Sequence, residues 1–140
     1  MTRLRSFLFV PGDSEKKLAK GMGTGADALI LDLEDAVAES AKPAARGLIA
    51  EALKGPRPSQ FWVRINPLTT PHAAPDLAAV VPFAPDGIVI PKPDSAGDLV
   101  ALDGLVTALE VQAGLPQGRI RVMPVATETL SIPLLASVPN

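Results

Sequence analysis

The chain has 140 residues, 47% hydrophobic and 20% charged, enough to bury one core and too few to lead us to expect a second domain. Its net charge of -2 gives no basic surface of the kind that nucleic-acid phosphates require, so nucleic acid is not an expected partner. With Cys 0 there is neither a disulfide framework nor a thiolate metal site, which fits a reducing compartment and makes the cytoplasm the expected location.

The first apolar run, Phe7-Leu-Phe-Val10, stops at Pro11 and Gly12 and is too short for a signal-peptide core or a membrane span, so no membrane role is expected. It is predicted as a strand over residues 7–10, followed by a helix over 14–23 that Asp13 or Ser14 can cap. The Gly21-Met-Gly-Thr-Gly25 stretch precedes a strand, unlike a dinucleotide fingerprint, and reads as a helix end and turn. A second strand is predicted over 28–33 and a second helix over 41–53. A third strand over 61–65 precedes a helix over 75–81, and a fourth over 87–90 precedes a helix over 96–113 that Ser95 can cap. A fifth strand is predicted over 120–126. The prolines cluster where helices stop and strands begin, as in Lys54-Gly-Pro-Arg-Pro-Ser59 and Pro82-Phe-Ala-Pro-Asp86. Strands alternating with helices specify an α/β protein with a parallel sheet.

Alternate residues of a strand face opposite sides. In Leu29-Ile-Leu-Asp-Leu-Glu-Asp35 the leucines suit a helix-covered side, leaving Ile30, Asp32 and Glu34 on the other. In Phe61-Trp-Val-Arg-Ile-Asn66 the split puts Phe61, Val63 and Ile65 against Trp62, Arg64 and Asn66. On the fifth strand Pro124, Ala126 and Glu128 are expected to share a face. Ligands bind at the carboxyl ends of parallel strands. Asp32, Glu34, Asp35, Arg64, Asn66, Lys92 and Glu128 all fall there. A single acid after a strand is ordinarily a helix cap, but a cluster is not so easily dismissed. Arg64, inside a strand, needs an anion because an unpaired buried charge is costly, so either Glu34 or a ligand is expected to pair with it. Lys92 suits a snorkelling strand end and a substrate contact equally well. His72, with no second His or Cys nearby, reads as a surface residue, and Trp62 as packing.

Five stretches, taken in order, resemble the citrate lyase β-subunit group of the HpcH/HpaI aldolase superfamily. They are Arg5-Ser-Phe-Leu-Phe-Val-Pro-Gly-Asp13, Gly25-Ala-Asp-Ala-Leu-Ile-Leu-Asp-Leu-Glu-Asp-Ala-Val37, Val63-Arg-Ile-Asn66, Val89-Ile-Pro-Lys92 and Ala126-Thr-Glu-Thr129. The resemblance implies a TIM (β/α)₈ barrel, of which the chain would carry an incomplete portion of five βα units in a single domain. It also implies an Mg²⁺-dependent carbon–carbon lyase acting on citryl, malyl or citramalyl thioesters, with acyl-CoA or a carrier-protein thioester and a small oxo or hydroxy acid as partners. Full length, a homo-oligomer is expected. By resemblance, Glu128 is a metal ligand and Arg64 the catalytic arginine that meets the substrate's carboxylate and reacting oxygen. Glu34 and Asp35 hold metal-bound waters, and Asn66 and Lys92 are substrate contacts. Thr127 and Leu130 depart from the group's usual pattern around the Glu. A barrel of this kind takes about 250 residues, and a second metal-ligating Asp is expected on a sixth strand beyond Asn140. The 140 residues alone are therefore expected to be inactive.

Two rival readings remain at this point. One is a pyruvate-releasing 2-keto-3-deoxy acid aldolase of the same superfamily. The other is a receiver-like signalling module, which the length fits but which needs a phosphoacceptor Asp after the third strand, where Asn66-Pro67 stands.

Overall fold

The computed structural model describes residues 3–126 of the chain. Glu128, Thr127 and Leu130 therefore lie outside the described residues. Five strands, β1 (Phe7–Pro11), β2 (Ala28–Asp32), β3 (Gln60–Arg64), β4 (Gly87–Pro91) and β5 (Arg121–Val125), pair in parallel in the order β1-β2-β3-β4-β5. Helices α1 (Glu15–Met22), α2 (Lys42–Lys54), α3 (Ala73–Val80) and α4 (Ala96–Gln112) return the chain between them. Sequential parallel pairing with a helix in every crossover differs from a doubly wound sheet, whose strand order reverses.

Local chemistry sets the helix ends. The Ser14 hydroxyl accepts the Lys17 N–H at 3.3 Å to start α1, and Asp98 reaches back to the Ser95 N–H at 3.2 Å to start α4. The second helix begins after a 3₁₀ turn, Glu39–Ala41, with Pro43 in its first turn. The third starts earlier than expected, at Ala73, because Pro75 still falls in the first turn where its missing N–H costs nothing. It ends in a 3₁₀ turn, Val81–Phe83.

The alternation places two apolar clusters on opposite sides of the sheet. Leu29, Leu31, Leu33, Phe61, Val63 and Ile65 pack against the helices, while Ala28, Ile30, Trp62 and Val89 form a second cluster on the other side. Trp62 lies across Gly87 so closely that a Cβ there would sit 2.2 Å from the indole ring, which is why a glycine opens β4. The fifth strand assigns its own two sides. Met123 and Val125 join the Trp62 cluster and Val122 packs on the helix side, so Pro124 shares the outer parity and does not lie on the side where Asp32 and Arg64 stand. Fixing that parity takes the cross-strand register, in which Val89 pairs with Met123.

Candidate active site

Register brings the first pair together, since Asp32 and Arg64 are direct partners across β2 and β3. The Arg64 guanidinium grips Asp32 through Nε to Oδ1 at 2.8 Å and Nη2 to Oδ2 at 2.7 Å, a two-pronged geometry that fixes the plane as well as the position. Asp32 also accepts the backbone N–H of Glu34 at 2.9 Å and of Ala36 at 3.0 Å, so every part of that carboxylate is occupied. Burial pushes the Asp32 carboxyl up, but the Arg64 bond and these amides outweigh it and hold the group below the usual carboxylate range. The same bond raises Arg64. The guanidinium carbon stands 4.6 Å from the Phe9 ring centre, so an aromatic face covers one side of it. The expected pairing of Arg64 with Glu34 is present as an ion pair at 3.8 Å, but the fork goes to Asp32, a partner not expected from the sequence.

That substitution leaves two groups with spare capacity. Among the described residues Nη1 of Arg64 makes no hydrogen bond, and it stands 3.8 Å from Glu34 Oε1. Glu34 is only 5% exposed, and its Oε1 has no hydrogen-bond partner. Its Oε2 accepts from Lys92 at 3.2 Å, and Lys92 lies 3.5 Å from Asp35. Burial, and then the neighbouring Asp35 carboxyl, push Glu34 up to about 7, against the pull of Lys92 and Arg64. Contact with Glu34 holds Asp35 low, and the Glu34 bond raises Lys92. Lys92 reaches this position from a left-handed backbone, φ 49, a costly conformation for a lysine. Its exposed ammonium is directed at two carboxylates.

The donor set suits a hard cation only in part. Asp32 has no oxygen to spare, and among the described residues no group of three or more His, Cys, Asp or Glu is arranged to hold a metal ion. Glu34 Oε1 and the more exposed Asp35 offer hard oxygens side by side, suited to holding an ion's water shell and too few to enclose it.

A cleft of about 390 Å³ opens beside these groups, lined by Glu34, Asp35, Lys42, Asn66, His72 and Lys92 among others. Its floor is a network that the sequence did not disclose. Lys42, 6% exposed, donates to the Leu33 carbonyl at 2.9 Å, the Glu34 carbonyl at 3.1 Å and Asn66 Oδ1 at 2.7 Å. The Asn66 amide donates to the Leu33 carbonyl at 2.9 Å and to Asp76 at 2.6 Å. Both amide hydrogens are therefore spent inside the protein. Asp76 in turn accepts from Arg46 at 2.7 Å, and Arg46 donates to His72 Nδ1 at 2.8 Å. A guanidinium only donates, so Nδ1 is the acceptor and Nε2 carries the proton that goes to Glu39. His72 is consequently half-buried and joins two loops, a correction to its reading as a surface residue. Lys42 and Arg46, one helical turn apart on α2, were the available signal for this network.

Residues 5–138 match the family HpcH/HpaI aldolase/citrate lyase. The citrate lyase subunit beta of Haemophilus influenzae is 35% identical over 130 residues, 91% of this chain and 45% of that protein. A (3S)-malyl-CoA thioesterase of Cereibacter sphaeroides is 40% identical over 111 residues, 78% of this chain and 39% of that protein. The chain thus spans less than half the length of these curated relatives. Among solved structures, the citrate lyase beta subunit of M. tuberculosis complexed with oxaloacetate and magnesium superposes with a TM-score of 0.70 at 32% identity, covering 94% of this chain and 51% of that one. With the family match running over nearly all of a chain that folds as successive parallel βα units, the protein belongs to the HpcH/HpaI aldolase/citrate lyase family.

Proposed function

We propose that this chain supplies the Arg64 side of the active site of an Mg²⁺-dependent carbon–carbon lyase that cleaves or forms 3-hydroxyacyl thioesters of the malyl, citramalyl or citryl type. The observation that carries the reading is the Arg64 guanidinium, locked by Asp32, whose Nη1 makes no hydrogen bond among the described residues and stands 3.8 Å from a buried Glu34 oxygen that likewise accepts none there. Locking removes the entropy cost of orienting the donor, and the free edge is what a substrate carboxylate and reacting oxygen require. The name of the (3S)-malyl-CoA thioesterase relative favours a thioester over the 2-keto-3-deoxy acids of the runner-up aldolase reading.

In this reading Glu128, with Glu34 and Asp35 through water, would hold Mg²⁺, which would supply Lewis-acid chemistry to the oxygens of the acid portion. Arg64 meets the oxygen that becomes the carbonyl as a general base, which no described residue is assigned to be, takes the hydroxyl proton and the carbon–carbon electron pair passes to the thioester enolate. Asp32 holds the guanidinium in plane, and Phe9 keeps water from that face. Lys92 neutralises Glu34 and Asp35 and stands where a second substrate carboxylate can reach it. Asn66 acts from the cleft wall, as its amide hydrogens are already engaged. The working unit is a closed eight-strand barrel, because the five strands described here leave the outer edges of β1 and β5 unpaired. The five units alone are inactive in this account, the protein assembles as a homo-oligomer, and it works in the cytoplasm.

The test is to supply the complete barrel with malyl-, citramalyl- and citryl-CoA, and separately with 2-keto-3-deoxy acids, and to follow oxo-acid release with and without Mg²⁺. Cleavage of a thioester that stops when Mg²⁺ is chelated is the expected result. Turnover of the keto acids without any thioester cleavage would transfer the assignment to the aldolase reading.

A further inference from the structure

Lys42 stands outside the group of residues facing Arg64, yet its ammonium is buried and its three partners are all neutral oxygens, the Leu33 and Glu34 carbonyls and Asn66 Oδ1. A buried charge facing neutral acceptors is an expensive way to satisfy them. It is also more than satisfaction demands. The Leu33 carbonyl already accepts from Asn66, and the Glu34 carbonyl accepts the Val37 N–H at 3.2 Å. Without Lys42, Asn66 Oδ1 would be the one of these three oxygens stripped of its donor.

What the ammonium adds is position. The two carbonyls it pulls towards the start of α2 belong to the peptide units on either side of the Glu34 Cα. Its third bond draws in Asn66, just past the end of β3, which Asp76 holds from the far side through its backbone N–H at 2.9 Å and its amide at 2.6 Å. One side chain therefore sets the segments that follow β2 and β3 against each other, and with them the distance between Glu34 and Arg64. We propose that Lys42 is a positioning residue: through the Leu33 and Glu34 carbonyls and Asn66 it holds the loop bearing Glu34 and Asp35 in the geometry that faces Arg64 and Lys92. Its catalytic consequence rests on the lyase reading above, whereas the geometric claim does not.

Lys42→Met keeps the apolar stem and removes the charge, and Lys42→Arg keeps the charge without the tetrahedral set of three donors. Amide hydrogen exchange on the chain itself reads the claim directly. In Lys42→Met the Val37 and Asn66 amides exchange about 10-fold faster, the scale of one lost charged hydrogen bond, while amides of α1 such as Leu18 are unchanged. Lys42→Arg gives a smaller acceleration at the same two amides, and it decides the matter if the Met variant fails to fold. In the complete barrel, kcat/KM of Lys42→Met falls about 10- to 100-fold, the usual cost of disturbing a supporting contact, while Tm changes little. Unchanged exchange at Val37 and Asn66 in the folded variants, or a uniform acceleration throughout the chain, would overturn the proposal. A wild-type barrel without lyase activity would sink the proposed function, and the exchange result would still decide the role of Lys42.

Discussion

Glu110 and Glu34 are both buried, and they have opposite fates. Glu110, on α4 at the amino-terminal side of β5, is 0% exposed and gives one oxygen to the Gly118 N–H and the other to the Ile120 N–H, each at 2.8 Å. It closes the turn into β5 and has nothing left to offer. Glu34, at the carboxyl end of β2, has an oxygen with no hydrogen-bond partner among the described residues, two cations within reach and a raised pKa. One end of the sheet spends its polar groups on stability, and the other keeps some in reserve, as expected where binding is built.

Substitutions should separate the two ends. The largest effect is expected for Arg64→Lys in the complete barrel, a loss of about 2–4 kcal/mol of transition-state stabilisation, because an ammonium cannot both fork onto Asp32 and present a free edge. Unchanged kcat/KM would remove Arg64 from the mechanism. Glu110→Ala should cost about 2–4 kcal/mol in urea unfolding, since it strips the buried Ile120 amide and the part-buried Gly118 amide of a charged acceptor. It should leave substrate affinity untouched in whatever fraction remains folded, and a selective KM effect would show that the two ends are not independent. Glu34→Gln should change stability least, by about 1 kcal/mol or less at pH 5. Its pH dependence carries the sign. The folded pKa of Glu34 lies above the 4.5 of an ordinary glutamate, so the folded chain binds the extra proton and wild type loses stability as pH rises from 4.5 to about 7. Glu34→Gln lacks this loss, and its advantage over wild type should grow through that window. Parallel stability curves for the two proteins would show that Glu34 is not held as described.

The βα alternation, the two-sided patterning of β2 and β3 and the gathering of Arg64, Glu34, Asp35 and Lys92 were all legible in the sequence. Each follows from hydrophobic period or from the rule that ligands meet strand carboxyl ends. The two-pronged bond of Arg64 to Asp32 was not, because it depends on inter-strand register, which two isolated strands do not specify. The Lys42, Asn66 and Asp76 network was hidden for a related reason. Its members lie on α2, beyond β3 and on α3, and only the packing of those helices brings them together. His72 was misread because its partners, Arg46 and Glu39, lie 26 and 33 residues away in sequence.

The central claim is that the carboxyl ends of β2, β3 and β4 form the substrate site. It is most directly tested by titrating the ¹⁵N-labelled chain with oxaloacetate in the presence and absence of Mg²⁺ and mapping the NMR shifts. The account predicts changes at the Arg64 side-chain Nε–H and at the backbone amides of Glu34, Asp35 and Lys92, larger with Mg²⁺, and none at Gly118 or Ile120 beside Glu110. Shifts confined to the Glu110 end, or no shift at Arg64 at any oxaloacetate concentration, would contradict it.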